Sequence, residues 1–187
     1  MKHILIVEDS PPTGTMIKKR LEKTGKYSVT WVTSLQETEE LLQTEESESF
    51  FAALLDFNLP DATQGEIIPL VVERNIPTIV FTAYVSEEVR QKVWSHHVID
   101  YVLKEDVLSM EYILSLLDRL QKNVDTQVLV TDMDGEKRER IAALLRVHRY
   151  DVLTADSGKE TMGILAAHPK IRLMITASQL RDMDGLT

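Results

Sequence analysis

The chain of 187 residues is 43% hydrophobic and 27% charged, the balance of an ordinary globular protein, and carries a formal net charge of −9. That negative excess argues against direct binding to nucleic acid or to an anionic membrane surface, and no run of about twenty apolar residues is present to span a bilayer. The absence of cysteine excludes disulfides and thiolate metal sites and fits a cytoplasmic location, while the start MKHILIVED turns acidic too early for a secretory signal.

HILIV (3–7) predicts a buried strand. Ser10 reads as the cap of a helix with Pro11 and Pro12 at its first positions, an apolar face through Ile17 and Leu21, and a stop at Gly25. YSVTWV (27–32) alternates as a strand, and Ser34 opens a short acidic helix to about Leu42. The run TEESES (44–49) reads as a solvated loop before a third strand, FFAALLD (50–56). A third helix is expected over 66–73 with Pro69 inside it, then a strand PTIVF (77–81) and a helix from Ser86 through His96. VIDYVL (98–103) gives a fifth strand, and 107–121 an amphipathic helix with Ile113, Leu116, Leu117 and Leu120 on one face. Val89, Val93 and Trp94 read as core or helix-face residues, and His96–His97, being adjacent, as a poor metal pair.

Five strands each followed by a helix indicate an α/β domain, doubly wound around a five-stranded parallel sheet. All strand C-termini then fall on one sheet edge, where such folds bind ligands. Those ends carry Glu8 and Asp9, then Asp56, Thr82 and Lys104. Asp56 is the puzzle, since it closes a run apolar enough to be fully buried, and an unpartnered buried carboxylate is costly. Two like charges about 4 Å apart repel by about 4 kcal/mol at an effective dielectric near 20. A hard divalent cation such as Mg²⁺ relieves that repulsion, and one carboxylate can then attack a phosphoryl group to form an aspartyl phosphate. A lysine and a hydroxyl at the same edge would hold the phosphoryl oxygens.

ILIVEDS, LLDFNLPD, VFTAY and DYVLKED resemble the motifs of the receiver domain of two-component response regulators, over residues 1–122. The resemblance implies a flavodoxin-like sheet of order 2-1-3-4-5. It also implies a cytoplasmic signalling module, not an enzyme, that takes a phosphoryl group from a sensor histidine kinase or phosphotransfer protein. Asp56 would be the nucleophile. Mg²⁺ would sit on Asp9, Asp56 and the backbone carbonyl of Asn58, with Glu8 acting through water. Thr82 would follow the phosphoryl group, Lys104 would pair with it, and Tyr101 would be the aromatic that changes rotamer. Two departures concern neighbouring loops: Glu105 stands where the family usually has proline, and Gly65 follows the Leu-Pro turn one residue late.

A linker over 123–127 separates this domain from a second copy at 128–187. VLVTD (128–132) echoes ILIVED, a helix is expected over 135–149, YDVLTAD (150–156) matches YSVTWVT, Ser157 caps a helix to about His168, and IRLMITAS (171–178) matches the third strand. This is a repeat of roughly 120 residues cut about halfway, a βαβαβ piece of a degenerate receiver. Ala177 falls where the acceptor aspartate belongs, and Thr131 replaces the first acid of the pair, leaving Asp132. The competing reading is a haloacid-dehalogenase-like phosphatase with Asp132 as nucleophile and Asp134 as general acid; a scaffold independent of phosphorylation is a third. The open strand edge and uncovered helix faces predict a homodimer through this half. The pattern also predicts that the native chain continues, and tandem receivers of this kind often precede a cyclic-dinucleotide synthesis domain such as a diguanylate cyclase.

Overall fold

The computed structural model describes residues 1–44, 49–83, 86–104 and 107–185. Along the chain run β1 (Lys2–Val7), α1 (Pro11–Lys23), β2 (Tyr27–Val32), α2 (Leu35–Leu42), β3 (Phe50–Leu55), α3 (Ile67–Val72), β4 (Thr78–Thr82), α4 (Glu87–Ser95), β5 (Asp100–Leu103) and α5 (Val107–Asn123). After them come β6 (Gln127–Thr131), α6 (Gly135–Val147), β7 (Asp151–Ala155), α7 (Gly158–Ala167) and β8 (Ile171–Thr176). Two units are distinguished, Met1–Leu117 and Asp118–Thr187, the division falling within α5. No helix among the described residues is long and apolar enough to cross a membrane.

In the first unit the sheet is parallel throughout with the order β2-β1-β3-β4-β5, as expected. Its inner strands are covered on both faces, which is why β3 and β4 read as unbroken apolar runs and are buried along their whole length. The edge strand β2 is only half-buried and keeps an alternating sequence. Leu5, Val7, Leu55, Phe57, Ile67 and Val71 belong to one core cluster, each contributing about 1.5–3 kcal/mol by leaving water.

The caps follow the sequence at Ser34 and Ser86, whose hydroxyls accept from Glu37 and Val89 N–H. Ser10 occupies the cap position of α1 without a capping bond, because Pro11 and Pro12 fill the first helical positions. Its hydroxyl instead accepts from Thr13 Oγ1 at 3.0 Å. α3 is shorter than expected at six residues, and Pro69 is tolerated because it lies in the first turn, where N–H groups have no intrahelical acceptor. α4 stops at Ser95, so His96 and His97 end the helix instead of lying on it, and His97 takes φ 55°. Val93 is fully buried, whereas Trp94 is exposed. Residues 45–48 of the expected solvated loop and Glu105 lie outside the described residues.

The second unit is a three-stranded parallel sheet of order β7-β6-β8, the arrangement of β2-β1-β3 over again. Even the irregularity recurs: the register shifts between His3 and Ile4 against β3, and between Gln127 and Val128 against β8. The surroundings differ. None of the six residues of β8 is buried, whereas all six of β3 are.

Candidate functional site

Glu8, Asp56 and Lys104 are each the residue just past a strand. Val7 pairs with Val32 on one side and Leu55 on the other, and the backbone bonds continue one residue further. Glu8 N–H donates to Val32 O at 3.1 Å, and Asp56 N–H donates to Val7 O at 2.9 Å. Lys104 N–H donates to Thr82 O at 2.9 Å, which brings the lysine to the same edge. The Lys104 ammonium donates to Asp56 Oδ2 and lies against Glu8 Oε2, both at 2.6 Å. The other oxygens are held by backbone: Glu8 Oε1 accepts from Ser10 N–H at 3.3 Å, and Asp56 Oδ1 from Asn58 N–H at 3.2 Å.

Glu8 and Asp56 are buried and Asp9 is exposed, yet one carboxylate oxygen of each lies within 4.8 Å of the others. Three carboxylates against one ammonium leave a formal excess of two negative charges. Burial pushes the Glu8 carboxyl above the usual carboxylate range, with the hydrogen bond from Lys104 opposing it. The donor set is all oxygen, as a hard divalent cation requires.

The structure therefore gathers Glu8, Asp9, Asp56 and Lys104, with the Asn58 backbone beside them. Thr82 ends β4 and is fully buried. Tyr101, on β5, pairs with Val80 of β4 and is half-buried beside a hollow of about 310 Å³ that Arg90, Trp94 and Leu103 also line. Gly65 explains itself locally: φ is 77° and a Cβ there would lie 2.4 Å from the Phe57 ring. One participant was not legible in the sequence. Trp31, read only as part of an alternating strand, donates its indole N–H to Glu8 O at 2.8 Å.

The second unit repeats this backbone without its chemistry. Thr131 pairs with Ala155 and Thr176 as Val7 pairs with Val32 and Leu55, and Ala177 N–H donates to Thr131 O at 2.9 Å. Ala177 thus occupies the place of Asp56. The expectation for Thr131 is corrected: it is the counterpart of Val7, a buried strand residue, and Asp132, whose N–H donates to Ala155 O, is the counterpart of Glu8. Exposed Met133 then stands in the place of Asp9. Asp134 is the N-cap of α6, its Oδ1 accepting from Glu136 and Lys137 N–H, so its carboxylate is engaged in holding a helix.

The family model for the response regulator receiver domain matches residues 4–117. Two solved structures described as two-component system response regulator/GGDEF domain proteins are each 31% identical, with TM-scores of 0.81 and 0.80; each match covers 100% of this chain and 74% of that chain. The non-phosphorylated receiver domain of HemR from Leptospira biflexa is 27% identical over 63% of this chain and 94% of its own, with a TM-score of 0.55. No curated protein matches the chain. With a family match across the first unit and a sheet of the same order, the chain belongs to the response regulator receiver domain family.

Proposed function

We propose that the first unit is a phosphorylation switch in which Asp56 accepts a phosphoryl group from a histidine kinase or phosphotransfer protein in the cytoplasm. The observation that carries this reading is Lys104 shared between Glu8 and Asp56 at 2.6 Å each, with Asp9 beside them and open to solvent. Asp9, Asp56 and the Asn58 carbonyl would hold Mg²⁺, with Glu8 nearby. When bound, the cation supplies positive charge against which phosphoryl oxygens and carboxylates can approach one another.

The Asp56 carboxylate attacks phosphorus, an O–P bond forms, and the P–N bond to the donor histidine breaks; the ring nitrogen leaves with the electron pair and takes up a proton. Lys104 keeps one pairing with Glu8 while donating to a phosphoryl oxygen in place of Asp56 Oδ2. The Thr82 hydroxyl follows the phosphoryl group and vacates space into which Tyr101 turns, changing the surface around β5 and its flanking helices. The output is read from the two 31%-identical relatives, whose description includes a GGDEF domain.

Intact-mass spectrometry after incubation with acetyl phosphate and Mg²⁺, on the parent and on Asp56→Ala, tests the reading. One phosphoryl group on the parent and none on the variant is the expected result. No addition to either, with the kinase also supplied, would favour a docking scaffold, for which the exposed β8 edge is the supporting observation.

A further inference from the structure

Asp9 is the exposed member of the acidic group, and among the described residues no side chain holds its carboxylate. Its placement depends on the backbone around it. On one side the Glu8 side chain accepts from Ser10 N–H; on the other, Trp31 Nε1–H donates to Glu8 O. The Trp31 bond fixes the plane of the peptide that joins Glu8 to Asp9, and with it the direction in which Asp9 leaves the chain.

The indole reaches that carbonyl by lying on α1. Gly14 is buried there, and a Cβ at this position would come 2.2 Å from Trp31 Cζ2. A glycine and a tryptophan on adjacent elements thus form one clamp. The carbonyl needs a donor in either unit, since a part-buried acceptor left empty is costly; in the second unit Arg138 Nη1–H donates to Asp132 O at 2.5 Å. What distinguishes Trp31 is that the peptide it fixes carries an acid, where the second unit has Met133.

We propose that Trp31 is a positioning residue for divalent-cation binding, acting through the Glu8 carbonyl to aim the Asp9 carboxylate. The proposal rests on the reading of Glu8, Asp9 and Asp56 as a Mg²⁺ site. Trp31→Phe keeps a ring over Gly14 and removes the N–H.

Titration calorimetry with Mg²⁺ on the parent and on Trp31→Phe is the test, with phosphorylation by acetyl phosphate measured at saturating Mg²⁺. The expected result is a Kd raised about fivefold, the scale of one lost hydrogen bond, with the rate at saturation unchanged. Parental affinity in the variant overturns the proposal, and so does a rate that stays low at saturation, which marks general damage to the site. A parent that binds no Mg²⁺ would instead overturn the reading of the site itself. Should Trp31→Phe fail to fold, Trp94→Phe leaves Trp31 as the single tryptophan. Its emission is expected to change on Mg²⁺ addition, and an unchanged spectrum in a Mg²⁺-binding protein overturns the proposal.

Discussion

Asp61 and Asp182 hold the same place in the two units, each spanning from a loop to the first turn of a helix. Asp61 accepts from Leu35 and Gln36 N–H at 2.9 and 3.0 Å, and Asp182 from Gly158 and Lys159 N–H at 2.7 and 2.9 Å. These bonds hold both carboxyls below the usual aspartate range. A carboxyl whose folded-state pKa is depressed stabilises the fold fully above its unfolded value of about 3.9, and that contribution is lost as pH falls through the folded value. Asp61→Asn is expected to lower Tm at pH 7, with the gap to the parent closing as pH falls through the depressed folded value. A pH-independent gap would mean that the charge contributes nothing.

Lys104 is the cation between two buried carboxylates. Lys104→Ala leaves Glu8 and Asp56 facing each other, and a loss of about 3–5 kcal/mol is expected at neutral pH, smaller in acid where the Glu8 carboxyl, raised by burial, takes up a proton. Added Mg²⁺ should raise the Tm of this variant more than that of the parent. Thermal melts at two pH values, with and without Mg²⁺, check both expectations.

Gly65→Ala forces an alanine into φ 77° and drives its Cβ against Phe57. The expected cost is about 1–3 kcal/mol, read from denaturant unfolding with m unchanged. Because Gly65 closes the loop that begins at Asn58, phosphorylation should slow as well.

Restoring the missing aspartate will not restore the second unit. Its counterpart of Asp9 is Met133, so Ala177→Asp placed in an Asp56→Ala background is expected to take up no phosphoryl group in the intact-mass assay. Uptake would show that the unit lacks a single residue.

β8 presents an open edge with Leu173 and Met174 exposed at 48% and 41%. Self-association that grows with concentration is expected by light scattering, and Leu173→Lys should reduce it by charging the edge. A parent that remains monodisperse at high concentration contradicts the expectation.

The periodicities of the chain determined its elements. An apolar run such as FFAALL between turn signals reads as a strand covered on both faces, Ser34 and Ser86 announce their helices, and the carboxylates after β1 and β3 announce a ligand edge, because these signals are local to a few residues. The relation of Asp61 to Asp182, and of Asp56 to Ala177, was likewise open to reading, since a repeated turn carries its own spacing. Register was not. VLVTD and IVED can be aligned by eye with either residue before the final aspartate, and only the pairing of Thr131 with Ala155 and Thr176 decides that Asp132 stands for Glu8. The sharing of Lys104 between two acids and the hold of Trp31 on the Glu8 carbonyl joined elements far apart in the chain. Such contacts depend on how strands and helices pack in three dimensions, and no local pattern of residues records them.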